Sequence, residues 1–270
     1  MASNRASDPA GSGSLWHSLL VQRRVLHALF MREMITRFGR ENLGVLWLVG
    51  DPMMFTGGII VLWSVAGLHG GSHLSVVAFA ITGYSSVLIW RNSTSRSIAA
   101  IPQNKRLLFH RDVRVLDVLI ARIVLELVGA TCSFAVLSVL FLYFGLLEPP
   151  ADMLEVCTAW LMLGWFGASL AMTMGAACVF SEVVDRLWHP ISYFLFPLSG
   201  AAFMVQWMPP VLRKFVLFLP MVHGTEMLRK GWFGNAVITH YSLPYMASCC
   251  LVLTLSGLFM QRLAGRNLEM

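Results

Sequence analysis

The sequence predicts an all-α polytopic membrane protein on three observations: the length of its apolar runs, the placement of its few charges, and a proline- and glycine-punctuated stretch before the last run. Of its 270 residues, 57% are hydrophobic and 13% charged, and the mean hydropathy is +0.68. That is more apolar surface than one soluble core hides. The net charge is +6, but Lys and Arg cluster in short segments flanking the apolar runs, as they do where they set membrane orientation. No nucleic-acid partner is expected. The pattern predicts six transmembrane helices, an N-terminal amphipathic interfacial helix, and short re-entrant helices before the last span.

Met1–Ser14 is rich in small residues and predicts a disordered tail, while Arg23, Arg24 and Arg32 deny the next segment the apolar h-region of a signal peptide. From Leu15 to Phe38, Leu15, Leu19, Leu26, Phe30 and Met34 share a helical face; Arg24 and Arg32 oppose it, and Arg23 and Arg37 intrude on it. A basic amphipathic helix suits the cytoplasmic membrane surface, and equally a partner subunit.

Gly44 to Ala66 is a first span, since roughly 20 apolar residues cross a 30 Å core. Asp51-Pro52 within it implies either a kinked helix facing protein or a wet cavity, or an interfacial cap, and both readings stand. Gly67 to Ser75 lacks Lys and Arg and is an outside loop. The second span, Val76 to Trp90, leads into the most basic segment between spans, through Arg91, Arg96, Lys105, Arg106, Arg111 and Arg114, which the positive-inside rule places in the cytoplasm. The Asn92-Ser93-Thr94 acceptor pattern has no use on that side. In the third span, Val115 to Phe144, Arg122 and Glu126 are four apart and are expected to pair, with Arg122 also able to snorkel.

The acidic loop Gly145 to Val156 returns outside. The fourth span, Cys157 to Phe180, carries Gly164, Gly167, Ala168, Ala171, Gly175 and Ala176, a close-approach pattern for a bundle or dimer seam. The fifth, from Leu187, contains Pro190 and Pro197 and is expected to kink. The last runs from Leu243 to Met260. Residues 207–234 break the pattern: the apolar pieces between Trp207, Pro209, Pro210, Pro220 and Gly224 are too short to cross, yet Arg213, Lys214, Arg229 and Lys230 lie where the outside should be. A pair of short re-entrant or interfacial helices accounts for the apolar pieces. The charges either engage an anionic cargo, bind lipid headgroups, or hold the short helices through pairs such as Glu226 with Arg229 or Lys230.

Several chemistries lack their residues. The only lysines are Lys105, Lys214 and Lys230 and no P-loop occurs, so this chain binds no ATP by that motif; no H-E-x-x-H occurs, and the eight histidines are scattered, so no metal site is expected. Gly83-Tyr84-Ser85 and Gly167-Ala168-Ser169 begin like a nucleophile elbow but end in Val87 and Ala171, which fits helix packing. The five cysteines form no C-x-x-C pair and read as small apolar residues. Trp47, Tyr84, Trp90, Arg91, Arg96, Trp188, His189, Trp207 and Trp232 gather near span ends. Singly, aromatics there are interface anchors; together with the arginines they would line a path for an acidic sugar polymer.

Trp188-His189-Pro190-Ile191-Ser192-Tyr193, Phe196-Pro197-Leu198-Ser199-Gly200 and the run from Pro220 through His223-Gly224-Thr225-Glu226 and Arg229-Lys230 to Gly234 resemble the signature of inner-membrane permeases of bacterial ABC-type capsular polysaccharide exporters, within the wider type-2 ABC permeases. Gly44-Val45-Leu46-Trp47 with Asp51-Pro52 resembles the family's entry to its first span. The resemblance implies a homodimer in the bacterial inner membrane with both termini cytoplasmic. It further implies two separate ATPase subunits that hold ATP and Mg, periplasmic adaptor and outer-membrane partners, and an acidic, lipid-anchored polysaccharide as cargo. By position it assigns 15–38 to the interfacial helix and 97–110, with Pro102, Asn104, Lys105 and Arg106, to a coupling helix. Residues 207–234, with Pro209, Pro210, Arg213, Lys214, His223, Glu226, Arg229 and Lys230, become a periplasmic gate. A type-2 ABC permease for another glycolipid, lipid or drug is the nearest alternative, and a secondary transporter or membrane enzyme a more distant one.

Overall fold

The computed structural model describes residues 15–38, 44–65, 74–104 and 114–269. The expected tail 1–14, most of the loop 67–75, and Lys105 and Arg106 of the expected coupling segment lie outside them. The described chain forms α1 (Leu15–Phe38), α2 (Gly44–Val65), α3 (Val76–Ile98), α4 (Ala100–Gln103), α5 (Val115–Tyr143), α6 (Met153–Phe180), α7 (Glu182–Leu198), α8 (Pro210–Val216), α9 (Pro220–Phe233) and α10 (Leu243–Glu269), with short 3-10 turns at Val205–Trp207 and Gly234–Ala236 and no strand among the described residues.

Local chemistry sets these boundaries. Ser75 Oγ accepts from Ala78 N, Asp117 accepts from Arg114 N, and Asp152 Oδ1 accepts from both Leu154 N and Glu155 N, so α3, α5 and α6 begin at capped N-termini. Pro210 and Pro220 open α8 and α9, where their missing N–H costs nothing. Gly234 at φ +57° ends α9.

Among the described residues, three helices are long and apolar enough to cross a membrane: Val115–Tyr143, Met153–Phe180 and Leu243–Gly265, with a shorter apolar stretch at Val49–Val65. The sequence reading expected six; α2, α3 and α7 are respectively too short in apolar length, too polar, and only 17 residues long. Polar α3 is nonetheless the centre of the bundle, buried along most of its length between α2, α5, α6, α7 and α9. It tolerates burial because its hydroxyls bond back to its own carbonyls: Thr82 to Ala78 O at 2.8 Å, Ser93 to Ile89 O at 2.6 Å and Thr94 to Trp90 O at 2.8 Å. The small residues of α6 work inside the subunit: a Cβ on Gly167 would lie 2.9 Å from Trp90 Cα, and one on Gly175 3.1 Å from Ser97 O.

α1 packs on its own chain. Its half-buried Phe30 and Met34 pack on Leu125, and Leu29 on the cluster around Leu119 and Ile123, so the apolar side faces α5 of the same chain. Exposed Val21, Met31 and Ile35 stand beside exposed Arg23 and Arg24, so apolar and basic residues are not segregated as an amphipathic helix requires. The expected Arg122–Glu126 pair is also replaced. Arg122 donates from Nε to Glu33 Oε1 of α1 at 2.8 Å, with a second, shorter contact from Nη2, while Arg96 Nε sits 4.0 Å from Glu126. Packing α1 against α5 brings in a carboxylate from 89 residues away, which helical spacing alone could not anticipate.

Candidate functional site

Between α7 and α9 the backbone turns irregular, and it does so inside the bundle. Ser199, Ala201, Met204 and Val205 are wholly buried, and a Cβ on Gly83, two turns into α3, would lie 2.3 Å from Ala201 O. Non-helical backbone at such depth must find partners within the protein. α9 supplies them with two buried charges. Arg229 donates to Ala201 O at 2.8 Å and to Phe203 O; Glu226 accepts from Val205 N at 3.2 Å and from His240 N at 3.1 Å. The base takes the loop's carbonyls and the acid takes amides, one in the loop and one after α9. The Arg229 guanidinium also lies 3.9 Å from the Phe79 ring centroid. Glu226 and Arg229 attract one another through space without a direct salt bridge, and the hydrogen bonds of both go to backbone.

The neighbouring polar residues act alike. Lys230 Nζ donates to Gly234 O at 3.1 Å and closes the C-terminus of α9; Arg213 donates to Gln206 O at 3.2 Å and to Met208 O at 3.4 Å. His223 Nδ1 accepts from Ser242 N at 2.9 Å, which leaves Nε2–H to donate to Leu217 O at 2.8 Å. The ring is therefore neutral, and burial lowers its pKa below the ordinary 6.5. Lys214 is the exception: it is exposed, without a protein partner among the described residues, on a broad apolar groove with Val211, Phe215 and Phe218. Three of the four cations that broke the positive-inside pattern thus donate hydrogen bonds to backbone carbonyls.

α9 itself runs alongside the N-terminal half of α6. The Cβ position of Gly231 abuts Val156 in the first turn of α6, and that of Gly224 abuts Leu163, about 10 Å further along the helix. Ser86 of α3 meets Thr225 at 3.0 Å on the same level. The C-terminal end of α9 is fastened to the α5–α6 connection through Ala151 N to Trp232 O and Asp152 N to Gly231 O.

Beside this hairpin runs a file of rings from α2, α3 and α7. Trp207 stacks on Phe79 at 5.4 Å, Phe79 on Trp63 at 5.8 Å, and Trp63 meets Tyr84 edge-on at 5.4 Å. Tyr84 continues to Phe196 at 5.5 Å and to Phe55 at 6.1 Å. The file ends at Arg91, whose guanidinium lies 4.8 Å from the Tyr193 ring and 5.9 Å from that of Phe196. Arg91 has no hydrogen-bond acceptor among the described residues, and beside it Asp51, Asn92, Arg96 and Glu126 line a polar cavity of about 220 Å³. Asp51 thus borders a polar cavity, one of the two arrangements its sequence allowed.

Of the aromatics singled out from sequence, Tyr84 and Trp207 belong to this file. Trp90 is buried against Phe166, Trp188 is buried and donates to Ser95 Oγ at 2.9 Å, Trp232 packs on Phe134, Trp47 is exposed, and exposed His189 sits 4.0 Å from Asp185. Phe55, Trp63 and Phe79 were not singled out, and Tyr193 and Phe196 entered only as part of the motif runs. The signal available for them was ring spacing of eight residues on α2, five on α3 and three on α7, which alone does not tell a shared file from lipid-facing rings. Pro209 precedes α8 as its N-cap and Pro210 starts it.

At the opposite end, Asn104 ties α4 to α1: its Oδ1 accepts from Arg32 at 2.7 Å, while its Nδ2 donates to Ala100 O at 2.9 Å. Arg122 joins this junction, donating to Gln103 Oε1 at 3.0 Å and Arg96 O at 3.1 Å. Pro102 is exposed at the tip. Among the described residues no cluster of three or more His, Cys, Asp or Glu is placed to hold a metal ion.

Three membrane-length helices around a buried, charge-braced loop mark a helical membrane protein. The chain belongs to the ABC-2 type transporter family, whose model matches residues 24–233. It is 42% identical over 256 residues to the capsule polysaccharide export inner-membrane protein CtrC of Neisseria meningitidis serogroup B, covering 95% of this chain and 97% of that one. It is 37% identical over 252 residues to the capsule polysaccharide export inner-membrane protein BexB of Haemophilus influenzae, covering 93% and 95%. The polysialic acid transport protein KpsM of Escherichia coli is 27% identical over 258 residues, covering 90% and 94%.

Proposed function

We propose that this chain is the inner-membrane permease of an ATP-driven exporter of an acidic, lipid-anchored capsular polysaccharide, and that Arg91 with the exposed rings Phe55, Tyr193 and Trp207 forms the cargo track, backed by the buried rings Phe79 and Tyr84. Aromatic faces give a sugar chain contact without fixed register, and a guanidinium with free donors suits a carboxylate or phosphate on the polymer. The names of the relatives support the cargo class, and the aromatic file is the observation that carries the path. In this reading the subunit crosses the membrane six times with both termini cytoplasmic and pairs with a second copy. Separate subunits bind ATP and Mg and press on α4, and the Arg32–Asn104 and Arg122 contacts pass that push to α1, α3 and α5. The α8–α9 hairpin is the outer gate, meeting periplasmic adaptor and outer-membrane partners.

The test is capsule export in cells carrying Arg91→Ala or Tyr193→Ala, with Arg91→Lys and Tyr193→Trp as conservative partners and membrane levels of the permease held equal. Export is expected to fall severalfold in the alanine variants and to recover in Tyr193→Trp. Full export by both alanine variants sinks the cargo track, and normal levels of a neutral glycolipid on the cell surface would favour another lipid-linked cargo.

A further inference from the structure

A groove of about 500 Å³ runs between α1 and the first turns of α5, floored by Leu26, Phe30, Ile120 and Val124 and rimmed by Arg23 and His27. Arg23 and His27 are four apart and stand together on the exposed side of α1, next to the face that carries Leu26 and Phe30. No acid lines the groove among the described residues. Asp117, at the start of α5, is buried and already accepts from Gln22 Nε2 at 3.1 Å and Arg114 N at 3.1 Å, and Glu33 is taken by Arg122. The rim is therefore net positive over an apolar floor.

The depth of the groove follows from the length of α5. Its 29 residues extend about 43 Å, so roughly 13 Å stands outside a 30 Å hydrocarbon core. The charged residues Asp117, Arg122 and Glu126 all lie in the first half, and Leu127 to Tyr143 carries none. The end against α1 is thus the end at headgroup level. From Val124 an exposed apolar stripe continues down α5 through Val128, Val136 and Val139, so an acyl chain leaving the groove stays on lipid-facing surface.

We infer that this groove binds an anionic diacyl phospholipid, one acyl chain lying on Leu26, Phe30, Ile120 and Val124 and the phosphate between Arg23 and His27. Its position between α1 and α5 means that the lipid braces the helix that α4 and Arg122 grip from the other side. The inference is independent of the cargo track.

The experiment is native mass spectrometry of the full chain, delipidated in detergent and titrated with phosphatidylglycerol or phosphatidylcholine. The parent is expected to retain phosphatidylglycerol in preference to phosphatidylcholine. The double variant Arg23→Gln/His27→Gln loses about tenfold in phosphatidylglycerol affinity with phosphatidylcholine unchanged, and Val124→Trp, which fills the groove, weakens both. All the changed side chains are exposed, and unaltered thermal melting checks that the fold persists. Equal retention of the two lipids by the parent, or a phosphatidylglycerol preference that survives both variants, overturns the site.

Discussion

Replacing Arg229 by methionine tests whether α9 braces the irregular loop. Methionine keeps the reach of the side chain and removes its donors, leaving Ala201 O and Phe203 O buried without a partner. Each stranded carbonyl costs about 1–3 kcal/mol, and the lost contact with Phe79 on the order of 1 kcal/mol. Methionine costs less to desolvate than a guanidinium, which offsets part of this. The net destabilisation is about 3–5 kcal/mol, as when one side of a buried charge arrangement is removed. At about 2–4 °C per kcal/mol for a large domain, the melting temperature falls by about 10 °C. Tryptophan fluorescence in detergent reads the transition, because Trp207 stacks on the ring that Arg229 covers. Arg229→Lys, which keeps the charge and reaches one carbonyl, should fall between parent and Arg229→Met. A melting temperature unchanged in Arg229→Met refutes the bracing role.

Gly83→Ala drives a methyl against Ala201 O and toward Arg229 Nη2, so it should lower the melting temperature by the equivalent of about 1–3 kcal/mol, as overpacking does. Gly164→Ala, whose nearest neighbour would be at 3.7 Å, is the neutral control, and equal behaviour of the two would dismiss the close approach. His223 is held neutral with its pKa lowered by burial, so the unfolded chain binds more protons in acid: its contribution is complete above the unfolded value of 6.5 and is lost as pH falls below that toward the folded value. Melting curves against pH should show a shallower acid limb in His223→Gln than in the parent; parallel curves would remove His223 as the source.

Much of the architecture was legible in the residues. Apolar runs with flanking cations announce a helical membrane chain because lipid leaves the backbone few alternatives. Pro210, Pro220 and Gly234 mark the ends of α8 and α9 because proline and glycine act locally on φ and on the N–H. Small residues every three or four positions in α6 announced close packing, which Gly167 and Gly175 provide against α3. The span count was less legible: Val76 to Trp90 reads as a span, yet α3 is not among the three membrane-length apolar helices, and its hydroxyls are satisfied by its own carbonyls.

What the sequence by itself determined was therefore what depends on neighbours a turn or less away: the proline starts of α8 and α9, the broken stretch before the last helix, and the anomaly of its charges, while α3, α7 and α10 extend beyond their expected limits. Only the tertiary structure decided what those charges do. Arg229 meets carbonyls 26 and 28 residues back, Glu226 meets amides on either side of its helix, and Arg122 chooses Glu33 over the acid one turn away. Burial makes the nearest unpaired backbone or carboxylate the partner, and which group is nearest is fixed by how helices pack and not by spacing along the chain. The same holds for the aromatic file, whose rings come from three helices and the turn at Trp207.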